Sequence, residues 1–360
     1  MIRELALKNF RGVGEGRLEL FPMTVLLGAN NSGKTTVLEA LYLLYPPSPI
    51  YQSTYKGALP GMHSTTILTV AEAIHAYHAT LDSRGYRFLI HGYNGEAVIA
   101  CRSDGALKAL VFKAMDDYIE VLRPEEESIG PSLDLETLMS EMETRPAHVI
   151  CDLGSSGGVD RRDTRAARCL FMKPHIAEMA MNYLRERWGL IRGRGLTGKV
   201  AAELSRLVNE DYDDLTLEPH VGGGLSLNLI LRKTKAGIRL GDMGDGIRML
   251  VLAMLLKELI EPELILWDDV EAFMSPSSLI YLSQWLAELL EQGAQVVVAT
   301  HSREAAKLLA GAAEEAGQEA KIVLLALREG VLKHRVLTLD EVEALEKAGV
   351  DVRMAEGFLL

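Results

Sequence analysis

The chain has 360 residues, room for two lobes that each bury a core, and its 48% hydrophobic and 24% charged residues make an ordinary soluble composition. No apolar run approaches the roughly 20 residues of a spanning helix, and the start MIRELALKNF lacks the basic head and apolar core of a signal peptide, so no membrane partner is expected. A net charge of −12 excludes a surface that is basic all over, and the three scattered cysteines (Cys101, Cys151, Cys169) read as reduced, buried thiols of a cytoplasmic protein.

Two strands, Ile2–Lys8 and Arg17–Phe21, are expected first. Met23–Leu27 then reads as a buried strand, and Val37–Leu44 carries apolar residues at helical spacing. Between them stands GANNSGKTT, residues 28–36. A strand that ends in glycine and feeds a helix leaves backbone N–H groups pointing outward at the positive end of the helix dipole, which makes an anion seat. Gly28 and Gly33 let the chain wrap a phosphate, with Asn30, Asn31 and Ser32 between them and Thr36 behind. Lys34 has the reach for β- and γ-phosphates, and the Thr35 hydroxyl suits Mg²⁺. A nucleoside triphosphate is the expected ligand.

Tyr45–Pro49 stops the helix, since proline has no N–H to donate. Residues 51–68 are polar and turn-rich. Tyr86–His91, Ala97–Arg102 and Ala109–Phe112, separated by Asn94-Gly95 and Asp104-Gly105, predict an antiparallel meander. Residues 123–145 are acidic and loop-like with one short helix. Helices are expected over Ile176–Trp188 and Leu196–Val208. Arg161–Arg168 and Arg185–Lys199 are the clearest basic segments. The second, which spans a helix end and a glycine-rich link, suits a phosphate backbone without sequence readout, and both suit pairing with the chain's own carboxylates.

Leu225–Arg232 and Gly237–Leu240 suggest a hairpin. Gly241–Arg248 (GDMGDGIR) precedes an apolar helix over about 245–260 and forms a second glycine-rich helix N-terminus. One triphosphate needs only one such seat, whereas two copies facing head to tail would use both. The same glycines also suit a merely tight connection. Leu264–Trp267 is a strand that ends in Asp268, Asp269 and Glu271. It is read as lying beside the phosphate-loop strand, with Asp268 placed for Mg²⁺ and Asp269 for the attacking water. Taken alone, these acids also make a solvated turn. Helix 277–291 follows, then strand Gln295–Ala299, read as one strand further on and ending at His301, whose ring would face the γ-phosphate. Helix 303–313, strands Lys321–Leu327 and Leu332–Thr338, and helix Asp340–Lys347 complete the chain.

Together these motifs resemble the ABC-type ATPases of the RecF, structural-maintenance-of-chromosomes (SMC) and OLD (overcoming lysogenisation defect) group. Leu7–Gly12 resembles that group's NFRGF start, GANNSGKTT its Walker A, Gly241–Arg248 its signature, LILWDDVE its Walker B and VVVATHS its switch histidine. The likeness covers residues 1–45 and 237–303. It implies an α/β P-loop NTPase fold with a mixed central sheet. Residues 1–45 and 215–360 would form the ATP-binding core, and 46–214 an inserted antiparallel β-meander with a helical lobe. It further implies Mg²⁺-dependent ATP hydrolysis and a head-to-tail dimer closed by ATP. Arg11 would contact phosphates, Thr35 and Asp268 would hold Mg²⁺, Asp269 would take the catalytic-acid position and His301 the switch. Gly244, Gly246 and Arg248 would meet the partner's nucleotide.

Three departures bear on activity. Asp269 stands where the group has Glu, which favours slow hydrolysis or help from Glu271. The signature serine is replaced by Asp242 or Met243. Ser275 stands in place of a histidine, although Pro276 is kept. The 59 residues after His301 are too few for the C-terminal nuclease of OLD proteins, so a stand-alone form working with a separately encoded nuclease or effector is expected, in DNA repair or defence against mobile elements. The alternative is a nucleotide-gated scaffold with little or no hydrolysis.

Overall fold

The computed structural model describes residues 1–45, 71, 74–75, 78, 85–104, 106–125, 135–141, 145–154, 159–160, 169–174, 176–220 and 223–353. The proline stop at 46–49, the polar stretch 51–68 and the basic run Arg161–Arg168 lie outside them.

Sixteen strands are described: β1 Ile2–Phe10, β2 Val13–Glu19, β3 Met23–Leu27, β4 Glu96–Ser103, β5 Ala106–Ala114, β6 Tyr118–Pro124, β7 Ala147–Gly154, β8 Val159–Asp160, β9 Cys169–Met172, β10 Tyr212–Pro219, β11 Leu225–Leu231, β12 Gly237–Arg239, β13 Leu264–Trp267, β14 Gln295–Thr300, β15 Ala320–Arg328 and β16 Val331–Leu337. The helices are α1 Lys34–Leu44, α2 Leu135–Glu141, α3 Ile176–Glu186, α4 Trp188–Gly193, α5 Leu196–Val208, α6 Asp245–Ile260, α7 Pro276–Glu291, α8 Arg303–Glu315 and α9 Leu339–Lys347. Strands β10–β12 form a small sheet, and the rest form one mixed sheet in the order β8-β7-β6-β5-β4-β1-β2-β16-β15-β3-β14-β13-β9.

The meander strands β4–β7 hydrogen-bond through β4 to β1, so they extend the same sheet that carries the phosphate-loop strand. Tyr86–His91, read as a strand, instead forms two 3₁₀ turns, with Gly92 at φ 68° and a single bridge from Ile90 to Phe10. β9, β13, β14, β3 and β15 run parallel. Buried on both faces, β3, β13 and β14 are nearly continuous apolar runs, interrupted by Thr24 in β3 and bounded by Gln295 and Thr300 in β14.

The strand order corrects one expectation. β14, which ends just before His301, lies directly beside β3, and β13 with its acids is one strand further out. All four of β3, β14, β13 and β9 end on one edge, with Leu27 opposite Thr300, Val298 opposite Trp267 and Trp267 opposite Met172. Ligands of open parallel sheets bind beyond this carboxyl edge.

Helix α1 packs over β13 and β14, which carries its first turn toward the end of β13. Val37, Leu38, Leu41 and Tyr42 are fully buried against the sheet. Each such side chain contributes about 1.5–3 kcal/mol relative to exposure. Nearly all of α6 is buried, because α3, α5, α7 and β9 surround it. Ser275 caps α7 by accepting from Ser278 N, and Pro276 at the first helical position gives up no needed N–H. No helix among the described residues is long and apolar enough to cross a membrane. The three cysteines are buried.

Candidate nucleotide site

The loop Gly28–Gly33 turns from β3 into α1 as the motif requires. Gly33 at φ 93° is the N-cap of α1, and no side chain caps it. The first-turn N–H groups, which no helix satisfies internally, therefore face outward. Gly28 is fixed by packing: a Cβ there would stand 2.5 Å from the Leu325 carbonyl oxygen and 2.7 Å from Ser32 Oγ. Asn31 adopts φ 62°, a left-handed turn that asparagine tolerates.

Lys34 is only 5% exposed and folds into the loop. Its Nζ donates to the carbonyls of Gly28 (3.0 Å) and Ala29 (2.8 Å) and lies 3.3 Å from His301 Nδ1. The Thr35 hydroxyl donates to Asp268 at 3.0 and 3.2 Å. Thus Lys34, Thr35, Asp268 and His301, which come from three separate motifs, meet at one edge of the sheet.

Asp269 follows at φ 48°, with Oδ1 3.3 Å from His301 Nε2. His301 Nδ1 lies 3.0 Å from the Gly28 carbonyl, so the ring bridges the phosphate loop and the second acid. Glu271 accepts from His301 N (2.7 Å), Ser302 N (3.1 Å) and Thr300 Oγ1 (2.7 Å). Its carboxylate braces the histidine turn.

Behind Asp268 lies a charge cluster that the sequence reading missed. Lys173, the residue after β9, sits 3.7 Å from Asp268 Oδ2 and 3.0 Å from Glu39 Oε1. Glu39, one helical turn past Thr35, is fully buried and also pairs with Arg11 and with His78 Nε2 at 2.8 Å. Burial raises the Asp268 pKa, opposed by the Lys173 charge. Burial lowers Lys173 to about 8 and Arg11 to about 10, each partly restored by Asp268. Desolvation, Arg11 and Lys173 together push His78 down to about 4. Only the β9–β13 pairing reveals Lys173. The one signal in the sequence was the short apolar run Cys169–Met172.

Arg11 occupies the β1–β2 turn at φ 54°, and its guanidinium is held by Glu39. At the signature, Gly244 is the uncapped start of α6 and has open space around it. Gly246 serves packing instead, because a Cβ would meet Ser278 Oγ at 2.4 Å. Arg248 pairs with Asp245 at 2.8 Å. In the basic segment, Arg192 pairs with Asp214, Lys199 with Glu258, and Arg187 stacks on Tyr183 at 3.8 Å. Much of that charge is thus neutralised within the chain.

Among the described residues no cluster of three or more His, Cys, Asp or Glu is placed to hold a metal. In nucleotide sites Mg²⁺ is held by one or two protein oxygens together with phosphates and water. The Thr35–Asp268 oxygen pair has the right chemistry for this.

A phosphate-loop turn, an acid-tipped strand and a histidine-tipped strand, parallel neighbours within one mixed sheet, make a P-loop fold of ABC type. Residues 1–126 match a family model described as "AAA ATPase domain", and residues 184–305 one described as "AAA domain, putative AbiEii toxin, Type IV TA system". The chain is 33% identical over 96 residues to the DNA replication and repair protein RecF of Chlamydia muridarum, covering 25% of this chain and 26% of that protein. It spans about a quarter of that relative's length. It is 30% identical over 113 residues to the uncharacterized protein MJECL11 of Methanocaldococcus jannaschii, covering 31% of this chain and 99% of that one. The crystal structure of an SMC head bound to the C-winged helix domain of ScpA superposes with a TM-score of 0.51 at 14% identity, over 95% of this chain and 99% of that one. Both matching family models are of AAA ATPase type, and the likeness to the SMC head shows a shared fold.

Proposed function

We propose that this chain binds ATP with Mg²⁺ and hydrolyses it slowly to ADP and phosphate, closing a head-to-tail homodimer when ATP is bound. The Thr35–Asp268 contact carries the reading, because it brings a helix hydroxyl and a strand-end carboxylate together beside the phosphate loop. Those two residues would hold Mg²⁺, which when bound neutralises charge developing on the phosphates. Lys34 would exchange its loop carbonyls for phosphate oxygens. Asp269 would orient the attacking water, and His301, between Asp269 and Gly28, would sense the γ-phosphate. Gly244 and the first turn of α6 would face the nucleotide held by the other copy, with Arg248 beside them. Arg11 would reach the phosphates from its place on Glu39.

The biological reading is a cytoplasmic ATPase acting in DNA repair or in defence against mobile elements, together with a separately encoded nuclease or effector. Any contact of Arg185–Lys199 with DNA would be non-specific and salt-sensitive.

A second reading, a nucleotide-gated scaffold with little hydrolysis, is favoured by two observations. Asp269 is one methylene shorter than Glu, and Glu271 already accepts three hydrogen bonds. Phosphate release separates the two. Slow catalysis requires turnover that falls in Asp269→Ala, whereas a scaffold gives equal rates in both proteins. Sizing the protein with and without ATP·Mg²⁺, with Lys34→Ala as the blank, tests the dimer.

A further inference from the structure

The turn Thr300–His301–Ser302 is gripped from two directions. On its N–H side stands Glu271, as described above. On its carbonyl side, Arg353 Nη1 donates to the His301 main-chain oxygen at 3.1 Å. Arg353 lies 52 positions further along the chain, beyond α9. None of the nucleotide motifs includes it.

Arg353 is not a loose contact. Its Nη2 and Nε bond Asp351 at 2.8 and 3.1 Å, and its own backbone N–H donates to Asp351 Oδ1 at 3.0 Å. Asp351 lies 3.7 Å from Arg303 at the start of α8, and Arg303 is also 3.7 Å from Glu346 on α9. Lys307 on α8 completes the set by pairing with Glu346 at 2.6 Å. Between Asp351 and Arg353, Val352 is fully buried and pins the segment to the core. Gly349 at φ 78° turns the chain back after α9 so that this segment can reach the site.

We infer that Arg353 is a positioning residue for His301, and that the segment after α9 sets the geometry of the histidine turn. Arg353 bonds Asp351 and the His301 carbonyl, so it acts through His301. It acts by holding the His301 carbonyl while Glu271 holds the His301 amide, which fixes the peptide planes on both sides of that Cα. With one grip removed, the ring keeps its chemistry but not its place between Asp269 and Gly28. This rests on the proposed role of His301 for its consequence in catalysis, but the mechanical claim stands on its own contacts.

The test compares wild type, Arg353→Ala, Arg353→Lys and Asp351→Asn in the full chain. Hydrogen exchange of the His301 and Ser302 amides, measured without nucleotide, is expected to speed up about ten-fold in Arg353→Ala, the size of one charge-assisted hydrogen bond. Arg353→Lys, which keeps one donor, should fall between, and Asp351→Asn should move in the same direction as Arg353→Ala. With ATP·Mg²⁺, kcat is expected to fall about ten-fold in Arg353→Ala while KM stays within two-fold. Unchanged exchange in Arg353→Ala overturns the inference, as does a rise in exchange spread evenly over β14 and α8. A wild type that releases no phosphate sinks the catalytic reading alone, since exchange still reports on the grip.

Discussion

Thr35 Oγ1 lies 3.0 Å from Asp268 Oδ2, although 233 positions separate the two residues. A helix that starts at the phosphate loop and crosses β14 to reach the end of β13 creates this contact. If it marks the metal position, Asp268→Asn should abolish the Mg²⁺ dependence of nucleotide binding. Hydrolysis should drop on the order of 10²-fold or more, the usual cost of losing one charge-stabilising group. Titrating Mg²⁺ at fixed ATP checks this. A variant with wild-type Mg²⁺ response would place the metal elsewhere.

Glu39 anchors Lys173, Arg11 and His78 in the interior. Removing one partner of a buried ion pair typically costs about 3–5 kcal/mol, because the other charge stays buried without compensation. Glu39→Ala is therefore expected to lower unfolding free energy by about that amount in a urea melt, and Lys173→Met to destabilise in the same direction. A change under about 1 kcal/mol would show that water reaches the cluster.

Gly28 has no room for a side chain, and its nearest obstacle is the backbone oxygen of Leu325 on the adjoining strand β15, which cannot swing away. Gly28→Ala should cost about 1–3 kcal/mol and distort the loop. The thermal shift produced by ATP·Mg²⁺ in wild type should vanish in this variant. An intact shift would mean that the loop tolerates displacement.

His334 sits partly buried on β16, and desolvation holds its pKa below the usual histidine value, opposed by Glu19. The unfolded chain thus binds a proton that the folded chain refuses. Stability is full above the ordinary histidine value and declines as pH falls below about 6.5. His334→Gln should flatten that part of the stability curve between pH 7 and 5. Parallel curves for the two proteins would assign the acid sensitivity to other groups.

What the sequence made legible follows from chemistry that a short stretch can carry alone. The phosphate loop needs glycines at fixed offsets, and Asp268, Asp269 and His301 each close an apolar run, so GANNSGKTT, LILWDD and VVVATHS announce strand ends. The order of those strands was not legible, because parallel neighbours are chosen by crossover packing and not by local pattern. β14 therefore turned out to lie between β3 and β13. Lys173 and Glu39 were missed for the same reason, since their partnership exists only once β9 pairs with β13 and α1 lies across the edge. β10 was hidden by its acids. Asp211, Asp213 and Asp214 look like loop residues until Arg232, Lys235 and Arg192 are seen to pair with them. Tyr86–His91 misled through its alternating apolar residues, which pack from 3₁₀ turns.

Calorimetric titration of ATP into the protein, with Mg²⁺ and then with EDTA, and into Lys34→Ala, tests the central claim most directly. Saturable binding that tightens with Mg²⁺ and disappears in Lys34→Ala is the expected result. No heat with any nucleoside triphosphate, or equal binding by the Lys34→Ala protein, would contradict a phosphate seat at the start of α1.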